Sequence, residues 1–435
     1  MIRVARIILM FTVAALFMAE SASAGILETG MGARAVAMGQ AQVAAANDAS
    51  AMSFNPAALT YARQYWDLQT REYFIQYQNV GTHSKLYVND IEQEDPYTAS
   101  MLVGSVLPLT RNITAGIQVY YPSDTTILIE AFRGPTISRY RATRWFYATG
   151  GAAYKLTEKI SVGFGGCATL GFKGGDLNLD ISSVLGLLGL DLGAGGTKDI
   201  NTAFRIDVVL TGGYEFGALY SPFKWLNIGA FYRWKLGNRV LIPVILPESD
   251  LLSRTQMNVR GYLYVTNPAQ FSFGVALMPT KNITVALDLQ RDLWSTIKPE
   301  LRFEAVQGDL GVKNYKKYDL DDVWWPKVGI EWKDRLGGKY SRMDYAIRAG
   351  YSYYTSPFPE KLEGRNTLDN DAHYYSGGFS IGYTPRRYVK YFSIDYFYQY
   401  TDLVEREHRD IEQNPALLIS DGYVIYQGFG LTLEI

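Results

Sequence analysis

The stretch GARAVAMGQAQVAAANDASAMSFNPAAL, from Gly32 to Leu59, decides how the chain around it is interpreted. It consists mostly of small residues and ends with the sequence Asn-Pro-Ala at residues 55–57. Glycine and alanine let a backbone pack closely against a wall. Pro56 fixes its own φ and biases Asn55 towards extended geometry. The stretch therefore suits either tight packing inside a larger structure or a short helix that caps one.

The residues ahead of this stretch have the features of a secretory signal peptide, which we place at 1–24. They comprise a positively charged start, a short apolar run at Ile7–Met18 and an A-x-A cleavage site at residues 22–24. The apolar run is too short for a transmembrane helix, because crossing a ~30 Å hydrocarbon core needs roughly 20 residues. We therefore expect an exported chain whose mature part begins at Gly25.

The composition points to strands rather than to membrane helices. The 435 residues include 33 Tyr, 20 Phe, 8 Trp and 41 Gly, and no later apolar run is long enough to form a membrane helix. This composition behind an export signal is typical of outer-membrane β-barrels. The alternatives are a secreted β-sandwich and a β-propeller, although the chain shows no repeat of blade length. The formal net charge of −1 offers no basic patch for nucleic acid.

Apolar residues alternate with small or polar residues along several segments. In Ile113–Tyr121 and Ile283–Leu289, the two sets fall on opposite faces of a strand. One apolar and one polar face is what a barrel with lipid outside and water inside requires. Tyrosine-rich runs, such as Tyr351, Tyr353 and Tyr354, predict the aromatic girdles at the two membrane interfaces.

Short polar turns alternate with longer segments between these strands. Short turns are expected near 110–112, 157–159, 221–224, 280–282, 334–341 and 385–387. Longer outer segments are expected at 80–96, 123–140, 174–200, 239–255, 298–321, 356–370 and 405–419. These connections predict an all-β fold, a 14-stranded antiparallel transmembrane β-barrel in residues 63–435 with both chain ends on the short-turn side. Residues 256–278 are predicted to form one long strand, bent at Asn267-Pro268.

Strand parity places several cations on the inner face of this barrel. A Lys or Arg facing lipid at the membrane midplane would cost about 2–4 kcal/mol, whereas the lumen tolerates charge. One or two of these cations could bind the carboxylate of an amphiphilic cargo, or they could pair with neighbouring acids. The candidate cations are Arg205, Arg233, Lys235, Lys327 and Arg348.

The outer segment 174–200 is unusually apolar for a loop. Its large apolar residues recur at helical spacing between Asp180 and Asp191. Because exposed apolar patches mark binding surfaces, the segment is a candidate capture site for a hydrophobic solute that arrives from outside. Packing against other long loops is the alternative. The residues concerned are Ile181, Val184, Leu185, Leu188 and Leu192.

The sequence shows no recognisable catalytic, cofactor or metal motif. His83, His373 and His408 have no nucleophile at a recognisable spacing. Cys167 is the only cysteine, so neither an internal disulfide nor a zinc cluster is possible. We expect no enzyme activity, no cofactor and no bound metal.

Two segments resemble signatures of the FadL/TodX family of outer-membrane transport proteins. They are the Gly32–Leu59 stretch and PAQFSFGVALMPTKNITVALDLQRDLWS, from Pro268 to Ser295. In that family the N-terminal segment folds inside the barrel as a hatch. The resemblance implies a hatch at residues 25–62, with Asn55, Pro56 and Ala57 as its Asn-Pro-Ala motif. The N-terminal pattern also resembles PorV/PorQ-type barrels of Gram-negative secretion systems.

The resemblance implies an outer-membrane transporter of a Gram-negative bacterium. Its partners would be outer-membrane lipids and a hydrophobic or amphiphilic cargo, such as long-chain fatty acids or hydrocarbons. The implied mechanism is capture at the outer loops, entry into an apolar lumenal pocket, displacement of the hatch and sideways release through a wall gap. A PorV-like shuttle or scaffold that binds proteins is the alternative. An apolar lumenal cavity able to hold a chain molecule would distinguish the two.

Overall fold

The fold is known from a computed structural model, which describes most of the chain from residue 31 onwards. The described residues are 31–65, 67–68, 72–88, 90–92, 98–121, 126–128, 139–141, 144–172, 176–180, 199–203, 210–246, 257–296, 301–305, 320–337, 340–357, 370–385, 389–409 and 417–435. The export signal predicted at 1–24 lies outside these ranges and stays a prediction.

Fourteen antiparallel strands form the main sheet, together with a two-residue strand, Ile91–Glu92, beside the outer end of the first. Each strand pairs with its neighbours in chain order. The strands are β1 (Phe74–Val88), β2 (Thr98–Pro108), β3 (Ile113–Tyr121), β4 (Arg144–Lys155), β5 (Ile160–Phe172), β6 (Leu210–Phe223), β7 (Leu226–Arg233), β8 (Ala269–Leu277), β9 (Ile283–Leu293), β10 (Val323–Arg335), β11 (Met343–Tyr354), β12 (Ala372–Tyr383), β13 (Tyr391–Arg409) and β14 (Leu417–Glu434).

The main sheet closes on itself into a barrel. β1 pairs with β2 over Phe74–Thr82, and it pairs with β14 over its whole length, from Phe74 opposite Glu434 to Val88 opposite Ser420. Closure satisfies the backbone hydrogen bonds of strands that lie in lipid, because no open edge remains. The predicted 14-stranded antiparallel barrel is confirmed.

Six short turns join the strands at one end of the barrel, and the longer connections join them at the other. The short turns are 109–112, 156–159, 224–225, 278–282, 336–342 and 384–390. Both ends of the barrel domain lie on the short-turn side, where Tyr73 and Ile435 exchange two backbone hydrogen bonds of 3.1 Å. The predicted alternation of short and long connections is therefore correct.

Burial alternates residue by residue along the strands. In β10, Trp325, Lys327 and Glu331 are buried, whereas Trp324 and Ile330 are each 47% exposed. The exposed set is apolar and suits lipid, and the buried set faces the interior of the barrel. This alternation fixes which side chains can take part in a lumenal site.

The long connections carry two smaller sheets. One consists of Thr126–Leu128, Arg139–Arg141, Asp176–Asp180 and Asp199–Ala203, and the other of Leu236–Leu246, Met257–Asn267 and Leu301–Ala305. The strands β1 and β13 also extend further than predicted, to Val88 and Arg409, into the loops expected at 80–96 and 405–419. Pairing continues there without an apolar face, so the alternation signal that marks the other strands is missing.

The prediction of a single bent strand at 256–278 is wrong. Met257–Asn267 belongs to the three-stranded outer sheet, whereas β8 pairs with β7 and β9 in the barrel. Pro268 lies between the two segments and has no N–H to donate to either ladder. The chain therefore changes sheets at the proline instead of bending within one strand.

Ahead of β1, residues 31–65 form a helical segment inside the barrel, here called the plug. It contains α1 (Ala33–Ala37), α2 (Ala51–Phe54), a 3-10 turn at Pro56–Ala58 and α3 (Leu59–Tyr65). From residue 31 to 59, every residue except the half-buried Phe54 is buried. In the part of the chain that the structure describes, no helix is long and apolar enough to cross a membrane.

Candidate functional site

The plug meets the inner wall of the barrel at glycines, which together form what we call the glycine socket. A Cβ atom added at any of these positions would come within 3 Å of a plug atom. Real Cβ atoms do not approach other atoms so closely, so a larger residue would displace the plug. One glycine comes from each of ten strands: Gly104, Gly116, Gly163, Gly217, Gly229, Gly274, Gly329, Gly350, Gly378 and Gly430.

The closest contact of backbone with backbone in the socket joins Gly350 of β11 to Gly39 of the plug. A Cβ atom on Gly350 would overlap the backbone of Met38 and Gly39, and one on Gly39 would lie 2.7 Å from the amide nitrogen of Tyr351. Gly39 also has a φ of +61°, in the left-handed region that side chains disfavour. Backbone therefore touches backbone at this point, which requires glycine on both sides.

The Asn-Pro-Ala motif fastens the plug to the wall through the amide of Asn55. Its Nδ2 donates to the carbonyl oxygen of Val43 at 2.8 Å and to that of Ala218 on β6 at 3.0 Å. Its Oδ1 accepts a hydrogen bond from the amide of Ala57 at 3.1 Å. Pro56 begins the 3-10 turn, where a missing N–H costs nothing. The three residues are buried and adjoin the socket at Gly163 and Gly217.

A buried chain of ion pairs links the plug to β10, β11 and β13. Arg34 of α1 donates through Nε and Nη2 to both oxygens of Glu331, each at 2.9 Å. Arg348 donates to the same carboxylate at 2.7 Å and to Asp395 at 2.9 Å. Burial lowers the pKa of Arg34, but the adjacent Glu331 carboxylate raises it more, so the pKa lies above its usual value and Arg34 stays charged.

A second ion pair ties α2 to the opposite side of the wall. Arg233 of β7 donates to Glu215 of β6 at 2.7 Å and to the carbonyl oxygen of Ser53 at 2.6 Å. Glu215 also accepts a hydrogen bond of 3.3 Å from the hydroxyl of Tyr147. Arg233 thus holds a wall carboxylate and a plug carbonyl at once.

The five cations predicted to point inward do not all lie inside the barrel. Arg233, Lys327 and Arg348 are buried inside the barrel. Lys235 is exposed, contrary to strand parity, because β7 ends at Arg233 and the chain leaves the barrel ladder there. Arg205 lies outside the described residues. A role for any of them in binding a carboxylate stays a prediction.

The buried arginines are committed to protein partners. A hydrogen bond to a charged group contributes about 1.5–3 kcal/mol. A cargo carboxylate that drew Arg34 or Arg348 away from Glu331 would gain such bonds only by breaking existing bonds of the same kind. The arrangement therefore favours holding the plug over binding an anion.

Aromatic side chains form a cluster inside the barrel, on the outer side of the plug. Along β10, Gly329 touches the plug, Lys327 comes next, and Trp325 lies two residues further towards the outer end. The ring of Trp325 contacts that of Tyr354 at 5.1 Å and that of Tyr374 at 5.6 Å. We call this cluster the aromatic vestibule; its members are Trp294, Val323, Trp325, Tyr354, Ala372, Tyr374 and Leu403.

Sequence reasoning missed the vestibule because it assigned the tyrosine runs to membrane girdles. Tyr351 is 36% exposed and fits that assignment, but Tyr354 is only 5% exposed and points inward. Strand parity does predict an inward Trp325, because Trp325 lies two residues from Lys327 and shares the strand face that was predicted to point into the lumen. A charged residue fixes the inward face of a strand, and the aromatic residues of equal parity then belong to the lumen.

The free space beside the plug includes a pocket of about 240 Å³ next to α3, which is lined by polar residues such as Arg63 and Lys155. A cavity of about 10 Å³, room for one water molecule, lies between Val43, Phe54, Phe231 and Lys327. A larger depression of about 540 Å³ lies on the lipid-facing wall, among Ile228, Phe273, Leu287 and Val328. None of these three spaces is an apolar lumenal cavity able to hold a chain molecule.

The barrel wall is continuous wherever the structure describes it. Neighbouring strands share ladders all round, with irregular register only between Tyr220 and Phe223 and between Leu403 and Arg406. The expected sideways gap therefore stays a prediction. The capture residues Ile181, Val184, Leu185, Leu188 and Leu192 lie outside the described residues. Among those described, no three His, Cys, Asp or Glu side chains are grouped as metal ligands.

A closed barrel with an apolar outer face and an N-terminal plug defines a plugged transmembrane β-barrel. Residues 6–422 match the family described as outer membrane protein transport protein (OMPP1/FadL/TodX). The chain belongs to this family, whose members are outer-membrane barrels that transport hydrophobic small molecules. The family assignment predicted from the sequence is confirmed.

Solved structures share the fold at low sequence identity. A Pseudomonas aeruginosa FadL homologue is similar at 16% identity and a TM-score of 0.70, over 94% of this chain and 99% of that one. The Pseudomonas putida toluene transporter TodX matches at 15% and 0.61, over 93% and 99%. The Ralstonia pickettii toluene transporter TbuX matches at 17% and 0.59, over 92% and 98%. A comparison with curated protein sequences finds no match.

Proposed function

We propose that the chain is a passive transporter of hydrophobic or amphiphilic small molecules, such as long-chain fatty acids or hydrocarbons, in the outer membrane of a Gram-negative bacterium. Residues 1–24 direct export, and residues 25–62 act as the hatch. Family membership supports transport over the PorV-like scaffold. Two of the similar structures are toluene transporters, which supports an apolar cargo.

The observation that carries the proposal is the position of the vestibule relative to the plug. Trp325 and its neighbours form a buried apolar cluster on the outer side, and the glycine socket closes the barrel directly beneath it. A hydrophobic molecule leaves water most favourably where apolar surface covers it, at about 25 cal/mol for each Å² buried. The vestibule therefore gathers cargo, and movement of the plug then governs its passage.

The polar contacts that hold the plug involve groups that can change partners, so the plug can be displaced. Arg34, Asn55 and Arg233 each bridge the plug and the barrel by hydrogen bonds that water or rearranged side chains can replace. The small alanines of the plug bury little apolar area apiece, so no single side chain anchors it. Movement of residues 31–59 requires breaking these bridges together with those from the amide of Val43 to Asp288 and from Asn227 to the carbonyl oxygen of Ala44.

Uptake of hydrocarbon by intact cells tests the proposal. A Gram-negative host that expresses the full chain should take up radiolabelled dodecane and toluene faster than the same host without it. Entry of a hydrophilic solute of similar size serves as the control and should not change, because the seated plug closes the barrel. Equal hydrocarbon uptake with and without the chain would refute a transport function.

A further inference from the structure

The buried ionisable side chains of the described residues carry an excess of acid. Four cations and eight acids are buried. The cations are Arg34, Arg233, Lys327 and Arg348, and the acids are Asp48, Glu215, Asp288, Asp292, Glu331, Asp344, Asp395 and Glu434. Those of the acids that are ionised repel an anion that enters this interior, and low dielectric strengthens the repulsion.

The guanidinium groups that could bind a carboxylate are already engaged. Arg348 uses Nε on Glu331, Nη1 on Asp395 and Nη2 on the hydroxyl of Ser380. Arg34 directs Nε and Nη2 to Glu331, and Nη1 to Gln42 and a plug carbonyl. Arg233 has a partner at each of its three nitrogens. A new carboxylate would have to compete with these acceptors for the same guanidinium groups.

Lys327, the remaining buried cation, is also surrounded by partners. It faces Asp288 directly across the β9–β10 ladder and donates to Oε1 of Gln290 at 2.6 Å. Its ammonium lies 3.9 Å from the centre of the Trp325 ring, a cation–π contact. The vestibule beyond it presents aromatic faces, which carry negative quadrupole charge and disfavour anions.

We infer that the passage selects uncharged hydrophobic cargo and rejects carboxylates. This inference rests on the proposed transport function and narrows its cargo to neutral molecules, such as hydrocarbons, long-chain alcohols and esters. A neutral molecule crosses the acid-rich interior without an electrostatic cost. An ionised carboxylate loses its hydration there, and every buried cation of the described residues already has protein partners. Exclusion therefore depends on charge and not on chain length.

Two cargoes of equal length test this selectivity. 1-Decanol and decanoate differ in the charged group, and decanoate is ionised at pH 7.5. The full chain, expressed in a host as above, should raise the initial uptake of decanol about tenfold or more over that of decanoate, each corrected for the host alone. Equal stimulation of both would overturn the inference. Stimulation of neither compound, nor of dodecane, would instead overturn the transport function.

Neutralising one lumenal acid should weaken the exclusion. Asp395→Asn leaves Arg348 with Glu331 and removes one negative charge, so the ratio of decanoate to decanol uptake should rise roughly fivefold. Glu158→Gln is the control, because Glu158 lies in an exposed turn with its side chain 90% accessible; it should leave the ratio unchanged. If Asp395→Asn fails to assemble, Glu215→Gln takes its place. An unchanged ratio in an assembled lumenal variant would count against the inference.

Discussion

The inner wall of the barrel has two regions of opposite character, the glycine socket and the aromatic vestibule. The socket presents backbone: Gly350 and Gly39 touch with no side chain between them. The vestibule presents rings: Trp325, Tyr354 and Tyr374 bury one another at centroid distances between 5.1 and 5.6 Å. The two regions follow each other along single strands, as at Gly329 and Trp325 of β10.

This difference separates closing the barrel from attracting cargo. A wall without side chains fits one plug shape closely, so small changes there affect sealing. A wall of aromatic rings accepts apolar molecules of many shapes, so changes there affect affinity. Substitutions in the socket should therefore alter permeability to all small solutes, whereas those in the vestibule should alter only the uptake of hydrophobic ones.

The largest effect is expected from unseating the plug. Deleting residues 25–50 should open the barrel, and liposome swelling should show rapid entry of small hydrophilic solutes.

The substitution Gly350→Val should raise the swelling rate towards that of the deletion. Overpacking costs about 3 kcal/mol at the upper end of the usual range, which lowers the ratio of seated to displaced plug roughly 150-fold. The control is Gly377→Val on the neighbouring strand, where a Cβ atom would have only the carbonyl oxygen of Arg348 at 3.7 Å. Swelling equal to wild type in the deletion would mean that the plug does not seal the barrel.

Removing the plug end of the ion-pair chain should have an intermediate effect. Arg34→Ala deletes two charged hydrogen bonds to Glu331, which keeps Arg348, so the loss is about 1.5–3 kcal/mol. Limited proteolysis should cut the plug faster, and swelling should rise less than with Gly350→Val. Arg34→Lys should recover only part of the loss, because lysine cannot form the two-point contact. Proteolysis at the wild-type rate in Arg34→Ala would show that this bridge does not retain the plug.

The smallest effect is expected in the vestibule. Trp325→Ala should lower hydrocarbon uptake about 2–10-fold, since aromatic contacts contribute about 0.5–1.5 kcal/mol each. Swelling with hydrophilic solutes should stay at the wild-type rate. The adjacent Trp324, which is 47% exposed on the lipid face, supplies the control Trp324→Ala. A similar loss of uptake in both variants would assign the effect to barrel stability instead of cargo contact.

The barrel could be predicted from the sequence because lipid imposes a rule on it. Every strand in the membrane must alternate, so segments such as Ile113–Tyr121 are recognisable and the strands can be counted. This requirement for alternation does not apply to the parts of the chain outside the membrane. Met257–Asn267 was merged with β8, and Lys235 was assigned to the wrong side, because both lie where the chain leaves the barrel ladder.

The contacts of the plug could be predicted only in part. The Asn-Pro-Ala sequence marked where the plug touches the wall, and Asn55 does bond to Ala218 there. The socket escaped notice because its glycines are scattered singly over ten strands and match the plug only in three dimensions. The Arg34–Glu331 pair joins residues 297 positions apart, a pairing that charge patterns in one sequence do not specify.

The seam between β1 and β14 constrains the order in which the molecule is built. It joins the two ends of the barrel domain, which are the most distant strands in the sequence, and such distant pairing makes folding slow. The plug precedes β1 in the chain and packs on glycines from ten of the strands. It must therefore lie against the open sheet before the seam pairs, or enter the finished barrel through one of its ends. In the first case the plug is the template around which the strands assemble.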